Sequence, residues 1–227
     1  VNKVNKPVDR IKKQHLVKKQ YLPAAGKYLK PNTVNTSMGH YWKAFATGIE
    51  YTLIITVCSV FFGFIIGILL ALARMAKGNP LKTAIRWLAT AYVEFIRGTP
   101  LMVQVMFVYF GLGLFVNLPA LTSGIIAISL NSGAYVAEYI RGGINSVDVG
   151  QTEAARSLGM SNGETMRYVV LPQALKNIWP SLGNEFITLI KDSSIVSIIG
   201  VTELIYQSNI VRSDTYRGVA PIVVIMV

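Results

Sequence analysis

The chain has 227 residues, 52% hydrophobic and 15% charged, with a mean hydropathy of +0.45 and a net charge of +11. Soluble domains carry about 25% charged residues, so this composition argues against a water-soluble fold and towards lipid. Ten of the 22 Lys and Arg precede residue 44, whereas residues 98–137 hold no charge, a distribution that fits anionic headgroups more readily than a nucleic-acid groove.

Residues 1–43 are polar and basic and are broken by Pro7, Pro23 and Pro31, which predicts a solvated extension ahead of a transmembrane domain over 44–227. Within the extension, residues 8–22 carry a loose pattern of a basic interfacial helix. The first 30 residues contain no apolar core of signal-peptide length. Both termini are expected to continue beyond this sequence. The single Cys58 excludes a disulfide framework within the chain and a cysteine metal cluster, and reads as a small hydrophobe.

Residues 51–73 run without a charge. As a helix they span about 35 Å, enough to cross a hydrocarbon core of about 30 Å. Gly63, Gly67 and Ala71 form a ridge of small residues suited to close helix contact. A basic turn over 74–80 leads to a second span near 87–111, interrupted by Glu94 and Arg97. These two stand three apart and are expected to neutralise each other. Gly111, Gly113 and Pro119 end the uncharged stretch, and a third span follows at 120–139, where Glu138 and Arg141 form a second such pair. A polar segment over 141–176 precedes a fourth span at 178–200, with a kink expected at Pro180 and Gly183. A fifth opens near Gly218. The expectation is an all-α membrane protein of about five transmembrane helices. The basic loops at 74–86 and 141–176 belong on the same side of the membrane.

The 141–176 segment has strong local signals. Thr152 is the predicted N-cap of a short helix, with Glu153 at its positive dipole end. Gly159 suits the left-handed residue that stops that helix. Ser161 and Glu164 have capping-box spacing for a second helix, expected to end near Pro172.

Glu153, Ala154, Ala155, Gly159, Val169, Leu171 and Pro172 together resemble the EAA loop of ABC importer permeases, with Val169 where isoleucine is usual. The stretches 97–104, 109–111, 133–143, 183–186, 191–194 and 200–204 resemble the polar amino acid branch of that family. The resemblance covers 41–227, and residues 1–40 resemble nothing assignable. It implies a type I ABC importer permease of the bacterial cytoplasmic membrane, with a cytoplasmic coupling helix formed by Glu153, Ala154, Ala155, Leu158 and Gly159. It further implies a second permease chain, identical or related, two ABC ATPase subunits and an extracytoplasmic amino acid-binding protein. The loop then faces the cytoplasm and the amino terminus lies outside. The ten cations of the extension argue the opposite orientation. No G-x-x-x-x-G-K-[ST] is present, so ATP and magnesium belong to the partner ATPase, and the chain itself is expected to hold no cofactor or metal and to catalyse nothing.

On span four, Asn184, Glu185, Thr188, Asp192 and Ser193 recur at mainly helical steps, predicting a polar stripe. A carboxylate there would meet the ammonium or guanidinium of a polar, and by charge a basic, amino acid. Asp192, Glu185, Asn184 and Ser193 are therefore candidate substrate contacts, with Gln104 from span two. Asp192 can equally pair with Lys191. The rival readings are a carrier or channel that needs no ATP and an assembly protein with no pathway. The first leaves the EAA loop without a use, and the second predicts no polar stripe.

Overall fold

The computed structural model describes residues 31–76, 78–216 and 218–226. The interfacial helix expected at 8–22 lies outside them. The helices are α1 (Pro31–Met75), α2 (Pro80–Gly98), α3 (Leu101–Met106), α4 (Ala120–Asn145), α5 (Val149–Ser157), α6 (Asn162–Glu164), α7 (Leu171–Asp192), α8 (Leu204–Thr215) and α9 (Ala220–Met226). No strand occurs among the described residues. Two helical stretches are long and apolar enough to cross a membrane unaided, Tyr41–Met75 and Ala120–Asn145. Counting Pro80–Gly98 with Leu101–Gly111, and Asn162–Ile199 with Leu204–Thr215, as broken spans raises the number to four. The segment expected to open a fifth is the short α9.

The chain divides into two units, one of residues 1–48 and 204–227, the other of 49–203. In the first, α8 buries Ser208 and Val211, and α9 buries Ala220 and Pro221. A Cβ on Gly48 would stand 2.9 Å from the Leu204 Cα, so the start of α8 lies against bare backbone.

The second unit contains the main core, in which Ile55, Val105, Ile128, Leu189 and Val196 join α1, α3, α4, α7 and the 3₁₀ turn Ser193–Ile199. The small-residue ridge of α1 packs on α4. A Cβ on Gly63 would come within 2.9 Å of Ser132, and one on Gly67 within 2.5 Å of Val136. Gly133 is its counterpart on α4, where a Cβ would lie 2.5 Å from Ile66. Dispersion between two closely apposed backbones replaces the hydrophobic drive that lipid cannot supply.

Three expectations are corrected. First, the span at 87–111 is two helices meeting at 108°. Proline at 100 pushes Thr99 out of the helical region, to φ −113 and ψ 144, and Pro100 then starts α3. Second, the helix opened at Ser161 does not stop at Pro172. It passes through one widened π segment, Thr165–Val170, into α7. A proline ring clashes with the carbonyl four residues back and offers no N–H, and the wider turn accommodates both faults. Third, Glu94 is not the carboxylate that meets Arg97. The Arg97 guanidinium lies 3.7 Å from Glu138, which Arg74 also reaches at 2.8 Å and which Arg141 contacts three residues along α4. The expected Glu138–Arg141 pair is present.

Gly67→Ala should lower the thermal midpoint of the detergent-solubilised protein, by an overpacking cost of about 1–3 kcal/mol. Gly163→Ala, where nothing stands within 4 Å of the added carbon, should leave it unchanged.

Candidate functional site

Between α4 and α7 the chain builds a small rigid protrusion. Its helix α5 starts four residues earlier than expected, because the cap is Asp148 and not Thr152. The Asp148 carboxylate accepts the Gly150 N–H at 2.7 Å. An aspartate there meets the positive end of the helix dipole as well as a free N–H, an advantage that a threonine lacks. The far end is a complete Schellman motif. Met160 N–H donates to the Ala155 carbonyl at 3.2 Å, Gly159 N–H donates to Arg156 at 3.0 Å, and Gly159 has φ 86°.

The expected capping box follows at once. Glu164 N–H donates to the Ser161 hydroxyl at 3.3 Å, and Ser161 N–H donates to the Glu164 carboxylate at 2.7 Å. With both ends capped, the orientation of α5 is fixed by backbone hydrogen bonds.

Its faces differ. Ala155 is 4% exposed and fixes α5 to the unit beneath, whereas Glu153 and Ala154 point to solvent and Leu158 is 84% exposed. The root is braced too. Asn177 Nδ2 donates to the Ser146 hydroxyl at 2.8 Å, and Ser146 donates to the Gly143 carbonyl at 2.8 Å. Gly143 lies so close to α7 that a Cβ would stand 2.3 Å from Ile178. The root of α5 is therefore tied to α4 and α7 together.

The polar stripe of span four divides in two. Asn184 and Lys191 are exposed, with Thr188 and Asp192 half-buried on that side. Glu185 and Ser193 turn inward. Glu185 is 6% exposed and accepts hydrogen bonds from Ser132 at 2.9 Å and Tyr139 at 3.1 Å. It edges a cavity of about 460 Å³ whose walls include Phe64, Val136, Trp179 and Phe186. The Ser193 hydroxyl is spent on the Ile190 carbonyl at 2.6 Å.

Gln104 stands apart from this stripe. Its amide donates to the Ile96 carbonyl at 2.7 Å, the Thr99 carbonyl at 3.1 Å and the Thr99 hydroxyl at 2.8 Å. Its oxygen accepts from Asn131 at 3.0 Å. Gln104 thus holds the corner between α2 and α3.

Sequence reasoning missed Ser132 and Tyr139 as partners of Glu185. They stand seven apart on α4, two turns of one face, and that spacing in an apolar span was the available signal. The approach of Arg74 to Glu138 has no local signature.

Apolar helical spans with one capped, exposed helix outside them are the architecture of a helical membrane protein. The chain belongs to the family of binding-protein-dependent transport system inner membrane components, whose family model matches residues 63–227. It is 44% identical over 179 residues to a putative glutamine transport system permease protein of Rickettsia bellii, covering 78% of this chain and 80% of that protein. It is 42% identical, over the same shares, to the arginine transport system permease protein of Bacillus subtilis. An L-cystine transport system permease protein of Bacillus subtilis is 46% identical over 165 residues, 72% of this chain and 69% of that one. Among solved structures, an amino acid ABC transporter with histidines superposes with a TM-score of 0.79 at 48% identity, over 84% of this chain and 88% of the other. A MetNI methionine ABC transporter shares the fold, with a TM-score of 0.66 at 22% identity over 81% and 87% of the two chains.

Gln104→Leu should lower the thermal midpoint measurably, because it leaves the buried Asn131 amide without the Gln104 oxygen, at about 1–3 kcal/mol for a buried group so stranded.

Proposed function

We propose that this chain is the permease subunit of an ATP-driven importer for polar amino acids and that α5 is the part through which a separate ATPase moves it. The observation that carries the reading is the capped protrusion, rigid at both ends, exposed at Glu153 and Leu158 and braced to two membrane helices. Such a helix can pass a movement of a docked partner into the bundle with little loss. The reading that no ATP is involved leaves this protrusion without a use.

The full assembly has a second permease chain, identical or related, two ATPase subunits that bind ATP and magnesium, and an extracytoplasmic binding protein that delivers substrate. The names of the relatives, for glutamine, arginine and cystine, support a substrate with an α-ammonium and an α-carboxylate. Asp192 and Asn184, on the outward side of α7, are the proposed contacts for a positively charged group. Glu185 is their inward neighbour, held ready by two hydroxyls beside an aromatic-walled cavity. The reaction is translocation, and no covalent chemistry is assigned to this chain.

The test is uptake into liposomes holding this chain with its cognate permease and ATPase, binding protein outside and ATP inside. Labelled Arg, Lys, His, Gln, Glu and cystine are compared. One group of substrates should enter with ATP, and Glu153→Lys should abolish that entry. Uptake that ignores ATP or survives Glu153→Lys would favour a carrier without an ATPase. In the same assay Asp192→Asn should weaken uptake roughly ten- to hundredfold, as expected for losing a charged hydrogen bond of about 1.5–3 kcal/mol. The ATPase should still co-purify with this variant. Normal uptake by Asp192→Asn would make Asp192 a structural residue.

A further inference from the structure

The helix α2 has a polar face that the transport reading does not use. Lys82, Thr83, Arg86, Thr90, Glu94 and Arg97 follow one another at steps of one, three and four, so all six fall on one side of the helix. The opposite side carries Leu81, Leu88 and Phe95, each about 70% exposed. At one edge of the polar face, Ala89 and Val93 are buried against the protein. A helix divided in this way, with cations on one flank and large apolar groups on the other, is built for an interface and not for a full crossing.

The corner at Thr99–Pro100 supports the same conclusion independently. After it, Gln104 bonds Asn131 near the middle of α4, and the chain then returns to Ala120, the start of α4. The stretch Leu101–Gly111 therefore runs back along α4, antiparallel to it. Bent by 108° from that stretch, α2 cannot also follow α4 and must cross it steeply. The crossing is fixed at two points. Tyr92 donates to the Leu130 carbonyl at 3.0 Å, and Arg97 meets Glu138. Glu138 lies seven residues before Asn145, about 10 Å of helix from the end that carries α5.

We infer that α2 lies in the plane of the leaflet on the α5 side and that its polar face binds the headgroups of anionic phospholipids. The occupant follows from charge. Around the face stand Arg74, Lys82, Arg86, Arg97 and Arg141, opposed by Glu94 and Glu138. Arg74, Arg97 and Arg141 gather on Glu138, while Lys82 and Arg86 lie about three to four turns back along the helix. Phosphate is the complementary group, and the exposed Trp87 suits the headgroup level. The inference uses the proposed function only to call this leaflet cytoplasmic.

The experiment uses the whole complex in liposomes, with single spin-labelled cysteines in a Cys58→Ser background. Labels replace Leu81, Leu88 and Phe95 on one face, Lys82, Arg86 and Thr90 on the other, and Leu158 as a marker of side. Depth is read from relative exposure to oxygen and to an aqueous nickel chelate. The labels at 81, 88 and 95 should share one depth near the headgroups, and those at 82, 86 and 90 should meet the chelate. A depth changing by about 21 Å between 81 and 95 means a spanning helix and overturns the inference. Shielding of 82, 86 and 90 that appears only with the ATPase or the second permease present means a protein partner, and it overturns the lipid assignment.

The second measurement is the share of spin-labelled phosphatidylglycerol held at the protein surface over phosphatidylcholine. Lys82→Gln with Arg86→Gln should reduce that preference by roughly fivefold for each cation removed. An unchanged preference overturns the headgroup assignment. The label at 158 keeps the two readings apart. If it is reached from the side opposite the ATPase while α2 is flat, the coupling reading fails and the interfacial helix stands.

Discussion

The carboxylate of Glu138 gathers three guanidinium groups: Arg74 from the end of α1, Arg97 from the end of α2 and Arg141 from its own helix. Arg97 also lies 5.5 Å from the Tyr135 ring. A carboxylate left unpaired in a largely apolar span is costly, so Glu138 needs the cations as much as they need it. Because those cations arrive from separate segments, the requirement becomes a geometric constraint. It fixes where α1 ends, where α2 crosses and how far α4 extends before α5 begins.

Packing around this junction depends on the absence of side chains. Gly63, Gly67 and Gly133 let α1 and α4 touch backbone to side chain, and Gly143 does the same for α4 and α7. Close contact makes α4 a stiff central element that reaches from the Ser132–Glu185–Tyr139 hydrogen bonds to the brace at Ser146. The widened turn at Thr165–Val170 has a complementary effect. It lets the helix that begins in the capping box continue past Pro172 and deep into the bundle, so α5 is rooted in helices on both sides. The exposed protrusion and the inner carboxylate are thus joined through packed helices.

The parts legible in the sequence were those whose cause is local. The capping box at Ser161 and Glu164, the left-handed Gly159, the small-residue ridge of α1 and the uncharged spans all follow from a few neighbouring residues. Errors arose where two local rules competed. Thr152 and Asp148 were both able to cap, and the carboxylate prevailed. Pro172 read as a stop, but a single widened turn was less costly than ending a helix whose next twenty residues bury an apolar face. At Pro100 the constraint on Thr99 was present in the sequence, and the size of the resulting bend was not.

By itself the sequence determined that this is a helical membrane protein with a capped loop, because hydropathy and capping act over a few residues, while the importer character of that loop came from its resemblance to a known family. Only the tertiary structure decided that Arg97 meets Glu138 in place of Glu94, that Gln104 holds a corner and that Glu185 turns inward while Asp192 stays half-buried on the outward side. Each of those outcomes depends on which distant helix comes within hydrogen-bonding distance, and a side chain's own neighbours in the chain do not specify that.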